Sequence, residues 1–457
     1  MLFEPTVWHV DVGAPSAAST ALLTDHYELT MLEGALRSGA AGRRSAFEVF
    51  ARRLPEGRRY GVVAGTGRLL DAIERFRFGD DELAFLAERE IVGPQAREWL
   101  ADFRFSGDIW GYAEGETFFP GSPILVVEAP FAAAVLLETL ALSVLNHDSA
   151  IAAAGSRMTL AAGERPCIEM GSRRTHEEAA VAAARAAYIA GFESTSNLAA
   201  GRRYGIPTRG TSAHAFVLVH DSEKDAFAAQ VESLGKGTTL LVDTYDVDDA
   251  VRTAVEVAGT RLGAVRLDSG DLLSLAREVR AQLDTLGASE TRIIVTSDLD
   301  EHSIAAMAAA PVDGYGVGTA LVTGAGAPTA GLVYKLVARA ESTAHGAPLL
   351  PVAKRSVGKP SIGGRKSAFR RYEPRGCAAA EVIVTDPTGT RSEDDAGHHD
   401  GRALLVPLVR AGVTVGREPL DAARERHRRS LTELPLTALP LSKGEPAIPT
   451  VFEEVGK

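Results

Sequence analysis

The chain has 457 residues, enough for two or three domains with sizeable cores. Its composition, 45% apolar and 24% charged, excludes wholesale disorder. A net charge of −11 argues against a dedicated nucleic-acid protein, which carries a basic face, but leaves room for an anionic ligand at a local arginine cluster.

The two cysteines, Cys167 and Cys377, make neither a disulfide framework nor a cysteine-based zinc site, and suggest a reducing compartment. The opening MLFEPTVWHVDVGAPSAAST lacks a basic start followed by an apolar core, so no secretory signal is expected. Residues 1–20 read as a loose leader. Thr24 or Asp25 can cap a helix over 24–39 whose Leu29, Leu32 and Leu36 share one face. Segments 45–53 and 60–65 alternate like strands, 67–105 carries helical patterns, and 107–130 reads as short strands with turns at Glu114-Gly115 and Pro120-Gly121. Residues 1–130 are therefore expected to form an α+β domain. The apolar stretch 129–145 is interrupted by Glu138 and is too short and periodic for a membrane span, so a buried helix and a cytoplasmic protein are expected.

From 131 the rhythm changes. Alanine-rich helical stretches (131–163 and 175–191) alternate with short apolar runs at 166–171, 214–220, 239–245, 263–270, 292–298 and 314–322. Further helices fit 221–234, 247–258, 271–286 and 299–309. Such spacing means parallel βα units, and hence a barrel-like α/β domain over 131–345 with its chemistry at the C-terminal strand ends. Residues 346–457 are rich in Gly, Lys, Arg and Pro, with strand-like runs at 380–386 and 403–409 and a loop-like tail from 434.

Four polar loops fall at these strand ends. In 313-DGYGVGT-319, glycines and Thr319 suit a phosphate, or simply a strand-to-helix turn that needs small residues. In 265-VRLDSGDL-272, the carboxylates suit sugar hydroxyls or hydrated Mg²⁺, or Asp268 or Ser269 merely caps the next helix. In 171-GSRRTHEEA-179, Thr175 and Glu178 match a capping box. Arg173 and Arg174, just before a helix N-terminus, oppose the helix dipole unless they bind an anion. In 210-GTSAH-214, His214 is either a strand-edge histidine or a proton carrier or phosphoryl acceptor beside an anion loop. Together the four suggest a phosphorylated sugar ligand with Mg²⁺.

The motifs LLTDHYELTM (22–31), FEVFARRLP (47–55), GSRRTH (171–176), GTSAH (210–214), VRLDSGDL (265–272), DGYGVGTALVT (313–323), YKLV (334–337) and the basic segment 354-KRSVGKPSIGGRKSAFR-370 occur in the order seen in nicotinate phosphoribosyltransferases, which the chain resembles from about 20 to 410. The resemblance implies an irregular α/β barrel of the type II phosphoribosyltransferase kind, joined to an N-terminal α+β domain completed by C-terminal segments. It implies a homodimer with the site at the subunit interface, and transfer of phosphoribose from 5-phosphoribosyl 1-pyrophosphate to nicotinate, with Mg²⁺ and with ATP as co-substrate. His214 would be transiently phosphorylated.

By the same resemblance, Tyr27 would stack on the pyridine ring across the dimer, and Arg173 would meet the nicotinate carboxylate. Thr211 and His214 would line the pyrophosphate side. Arg266 and Asp268, with Ser269 beside them, would hold ribose and ring, and Asp298 the ribose hydroxyls. Gly316, Gly318 and Thr319 would cradle the 5′-phosphate. Mg²⁺ is expected mainly on the pyrophosphate. Met170 stands where many relatives have Phe; it packs on an aromatic face more weakly. Ser196 matches an Asp of the nicotinamide-using cousin, and the lack of an acid there favours nicotinate. Other readings are a nicotinamide or quinolinate transferase of the same fold, or a non-catalytic binder.

Overall fold

The computed structural model describes residues 18–344, 346–354, 361–386 and 401–454. Most of the expected leader (1–17), part of the basic segment (355–360) and the end of the tail (455–457) lie outside the described residues.

Seven strands form an antiparallel sheet in the order Leu349–Pro351, Leu332–Ala340, Arg44–Ala51, Leu125–Pro130, Asp108–Tyr112, Leu405–Arg410 and Val413–Thr414. The N-terminal strands are central, and later segments supply both edges. Leu332–Ala340, at the end of the range expected for the barrel, pairs here with Arg44–Ala51. Arg44–Ala51 is buried on both faces. Phe47 and Val49 join the apolar core beneath the first helices. On the other face Lys366 reaches both oxygens of Glu48, at 2.9 and 2.7 Å, and Arg365 pairs with Glu128. Such a partner offsets much of the cost of burying a carboxylate. Those cations come from a second sheet, ordered Arg402–Ala403, Arg365–Tyr372, Ala378–Asp386 and Thr450–Glu454. The last strand places order inside the tail expected to be loop-like. Arg370, fully buried, donates to Glu381 Oε2 at 3.0 Å and to the Thr117 carbonyl at 2.9 Å, and Tyr112 of the seven-stranded sheet donates its hydroxyl to Glu381 Oε1 at 2.7 Å, fastening the two sheets.

The parallel sheet has six strands in the order Ser194–Thr195, Cys167–Glu169, Gly314–Val317, Arg292–Val295, Ala264–Leu267 and Thr239–Leu241. Among the described residues its two edge strands do not pair with each other. The chain from Thr208 crosses that seam, bridged to Thr195 and continuing into the helix His214–Leu218. A strand was expected at 214–220, and the structure corrects this. A strand in a parallel barrel is buried on both faces, whereas this run exposes Leu218 and Val219 and buries only Val217 at its centre.

Two capping expectations also change. His176, not Thr175, caps Glu177–Ile189, accepting from Glu178 N–H. Asp271 caps Leu272–Thr285 by accepting from Ser274 N–H, so neither Asp268 nor Ser269 is spent as a cap. The helix Leu420–Glu433 was not foreseen, because its charge-crowded sequence hides the short buried stripe of Ala423, His427 and Ser430. The helical run Phe131–Ala162 is long and apolar enough to cross a membrane by length and composition, but most of that stretch is buried inside the fold. Its alanines let Glu177–Ile189 pack close, and Arg157 from it joins Arg58 on Glu301, a buried triad between the N-terminal segment and the barrel.

Candidate active site

Arg266 lies near the end of Ala264–Leu267 and is only 8% exposed. A buried guanidinium needs partners along its edges. Its Nε donates to Thr296 Oγ1 at 2.8 Å. One terminal nitrogen donates to Thr211 Oγ1 at 2.8 Å and the Ser212 carbonyl at 3.3 Å, and the other to Asp268 Oδ1 at 2.8 Å. Thr296 also donates its hydroxyl to Asp268. Burial works against the Asp268 charge, but the Thr296 and Arg266 hydrogen bonds, with the Arg266 and His214 charges, hold its carboxyl below the usual value. One strand further, Asp243 Oδ2 accepts from Asp268 N–H and from Ser269 Oγ, each at 2.8 Å.

His214 opens its short helix directly over this cluster. Its Nδ1 is 3.1 Å from Thr244 Oγ1. Its Nε2 stands 4.0 Å from Asp243 Oδ1 and 3.9 Å from Asp268 Oδ2, and the side chain is 40% exposed. Asp243, 3% exposed, keeps Oδ1 buried without a hydrogen-bond partner. The result is an imidazole with one nitrogen fixed and the other open between two carboxylates. Such a nitrogen can carry a proton or attack phosphorus. The facing carboxylate oxygens are hard donors of the kind that Mg²⁺ takes.

A second group of residues flanks the sheet centre. Met170 N–H donates to the Val317 carbonyl at 2.8 Å, setting its side chain over Gly316. A Cβ on Gly316 would lie 2.5 Å from Thr296 Cγ2 and 2.8 Å from Met170 Sδ, so packing demands glycine there. At Gly318 the nearest atom would be 3.5 Å away, and Thr319 starts a helix of four residues. Arg173 and Arg174 are exposed, and among the described residues neither guanidinium has an ion pair. Asp298 is exposed and follows Ser297, whose φ of 132° is strained for a residue with a Cβ. Tyr27 stands apart on the N-terminal domain, 43% exposed. Its phenol lies beside Glu138 and Thr139, and burial, then the charges of Glu138 and Glu28, push its pKa up.

Comparison with known proteins gives the family and the fold. A family model described as nicotinate phosphoribosyltransferase (NAPRTase) N-terminal domain matches residues 22–146. A second, described as the nicotinate phosphoribosyltransferase (NAPRTase) family, matches 166–371. The chain belongs to the nicotinate phosphoribosyltransferase family. It is 58% identical over 447 residues to nicotinate phosphoribosyltransferase pncB1 of Mycobacterium tuberculosis, covering 96% of each chain. It is 39% identical over 330 residues to nicotinate phosphoribosyltransferase of Bacillus subtilis, covering 70% of this chain and 67% of that one. Among solved structures, human nicotinic acid phosphoribosyltransferase superposes with a TM-score of 0.77 at 26% identity, covering 94% of this chain and 97% of that one. A nicotinate-nucleotide pyrophosphorylase from Pyrococcus furiosus shares the fold, with a TM-score of 0.73 at 23% identity over 93% and 99% of the two chains.

Within this family member the structure brings Thr211, His214, Arg266, Asp268 and Ser269 into one cluster. It keeps Arg173, Asp298, Gly318 and Thr319 at other strand ends. Asp243, Thr244 and Thr296 were not singled out from the sequence. They lie at the polar ends of the runs 239–245 and 292–298, and their roles depend on hydrogen bonds to residues 25 to 30 positions away.

Proposed function

We propose that this chain transfers the phosphoribosyl group of 5-phosphoribosyl 1-pyrophosphate to nicotinate, giving nicotinate mononucleotide and pyrophosphate for NAD salvage. The observation that carries the reading is the Arg266–Asp268–His214 cluster at the C-terminal strand ends. The relatives named nicotinate phosphoribosyltransferase support it.

The nicotinate ring nitrogen forms the bond to C1′ while the C1′–O bond to pyrophosphate breaks, and pyrophosphate leaves with the electron pair. The sugar carries positive charge at that moment, so fixed carboxylates and phosphate-binding cations count for more than a strong base. Asp268, held ionised, and Asp298 receive the ribose hydroxyls. Thr211 and His214 line the pyrophosphate side, and Gly316, Gly318 and Thr319 the 5′-phosphate. Arg173, with no ion pair among the described residues, takes the nicotinate carboxylate through a planar fork. Mg²⁺ when bound neutralises the departing pyrophosphate; Asp243 and Asp268 would hold it together with that group.

ATP enters as a co-substrate. With Thr244 fixing Nδ1, the open Nε2 of His214 attacks the γ-phosphorus, ADP leaves, and the phosphohistidine is later hydrolysed to phosphate. The assembly is a homodimer, in which the exposed Tyr27, beside exposed Leu22 and Leu23, reaches the partner's base site. The segment 194–197 carries Ser196 rather than an acid, which favours a carboxylate-bearing base over its amide.

The test is mononucleotide formation with nicotinate, nicotinamide and quinolinate offered in parallel, with Mg²⁺, with and without ATP, and with His214→Ala alongside. Product from nicotinate alone, raised by ATP in the wild type only, is expected. No product from nicotinate would sink the assignment.

A further inference from the structure

Glu169 ends the strand Cys167–Glu169 with a fully buried carboxylate. Among the described residues no cation meets it. Its oxygens accept instead from Gly171 N–H and the Thr195 hydroxyl. Burial pushes its carboxyl above the usual value. An acid buried without a cation is expensive, and an apolar residue would serve packing better. The side chain therefore calls for a reason beyond stability.

The hydrogen bonds around it close into a circuit. Thr195 Oγ1 accepts from Asn197 N–H at 2.9 Å. Asn197 Oδ1 caps the helix Leu198–Tyr204 by accepting from Ala200 N–H at 2.8 Å. That commitment fixes the amide, so Nδ2 is the atom that donates to Ser172 Oγ at 3.0 Å. Ser196 N–H donates to the Glu169 carbonyl at 2.8 Å. The circuit runs from Glu169 through Gly171 and Ser172, across to Asn197, and back through Thr195. It locks the loop carrying Arg173 to the loop carrying Ser196. Gly171 completes the clamp: a Cβ there would lie 2.2 Å from Val322 Cγ1 and 3.0 Å from Glu169 Oε1. Arg173 is the next residue but one, and with no ion pair among the described residues its long side chain depends on the backbone that carries it for its aim.

We propose that Glu169 is a positioning residue for the pyridine substrate, acting through this circuit to aim Arg173 at the nicotinate carboxylate. The inference rests on the assignment of Arg173 given above. It gives the uncompensated buried acid a task, since a misplacement of about 1 Å in a carboxylate clamp weakens binding strongly.

Steady-state kinetics of the full chain separates the possibilities, with Glu169→Ala, Glu169→Gln, Thr195→Val and Arg173→Ala measured against both substrates. Glu169→Ala and Thr195→Val should raise the KM for nicotinate about tenfold, with kcat and the KM for 5-phosphoribosyl 1-pyrophosphate within about twofold of wild type. Glu169→Gln keeps an acceptor for Gly171 and a polar group for Thr195, so it should stay near wild type. If Arg173→Ala raises the nicotinate KM while Glu169→Ala and Thr195→Val leave it unchanged, or move both KM values alike, the positioning role is overturned and the Arg173 assignment stands. If Arg173→Ala leaves the nicotinate KM unchanged, the Arg173 assignment itself fails. Thr195→Val is close to isosteric and carries the test should Glu169→Ala fail to fold.

Discussion

Arg266 and Asp268, two residues apart on one strand end, form a 2.8 Å ion pair whose carboxylate also accepts from Thr296. The same guanidinium holds Thr211 and Ser212 on the segment leading to His214. One side chain thus fixes both the strand-end carboxylate and the segment that delivers the histidine.

Arg266→Lys should therefore behave as a severe substitution. An ammonium cannot span Thr296, Thr211 and Asp268 at once. Losing two charge-assisted hydrogen bonds amounts to about 3 kcal/mol, so kcat/KM should fall roughly a hundredfold. Initial-rate measurements at saturating ATP check this; a fall of less than about threefold would contradict the geometry.

Thr244→Val removes the hydroxyl at His214 Nδ1 while keeping the side-chain shape. Labelling of the protein from ATP carrying a radioactive γ-phosphate should slow about tenfold, the value of one lost hydrogen bond. Mononucleotide formation without ATP should be little changed. Equal loss in both assays would argue against a separate phosphorylation step at His214.

His427 is fully buried, with Nε2 at 3.0 Å from Ser156 Oγ and Nδ1 at 3.3 Å from the Gly115 carbonyl. Burial pushes its pKa down to about 4. The folded state therefore binds the proton less readily than the unfolded chain, whose histidine titrates near 6.5. The contribution is fully present above pH ~6.5 and is lost as pH falls through about 4, by roughly 3 kcal/mol. Unfolding midpoints of wild type and His427→Gln between pH 4 and 8 should converge toward the acid end. Parallel curves would exclude His427 as a source of acid sensitivity.

Arg370 and Glu381 are both fully buried, and Tyr112 donates its hydroxyl to Glu381 at 2.7 Å. Arg370→Met leaves that carboxylate without its nearest cation and should destabilise the fold by about 3–5 kcal/mol. Adding Glu381→Gln should recover part of the loss. Urea unfolding of the single and double variants reads the coupling directly, and additive losses would show that the pair does not act as a unit.

Much of the barrel was legible in the sequence, where local signals agree. The helix expected at 247–258 is present as Val247–Ala258, because Asp246 caps it and its apolar residues keep a helical period. The loop VRLDSGDL and the end of the run 292–298 did fall at strand ends, which put Arg266, Asp268 and Asp298 at the rim. What escaped was non-local. The short apolar run HAFVLVH suits a strand as well as a helix, and it forms the helix His214–Leu218 outside the parallel sheet. Sheet edges supplied by 332–340 and 405–414 carry no signal in their own residues of which strand they will join. Asp243 acts through Asp268 and Ser269, and Glu169 through Thr195, pairings visible only once the strands are side by side.

The seam between Ser194–Thr195 and Thr239–Leu241 has a thermodynamic consequence. The chain crossing it has no strand ladder beyond its bridge at Thr195, so residues 209–214 rest mainly on side-chain hydrogen bonds to Arg266 and Thr244. A segment held this way opens locally at far lower free energy than the strands beside it. An anion that bridges Arg266 and His214 adds its binding energy to the closed state, so occupancy of the site becomes a local stabilisation. Amide hydrogen exchange along this short stretch is then a gauge of ligand, slowing there while the rest of the barrel keeps its rate.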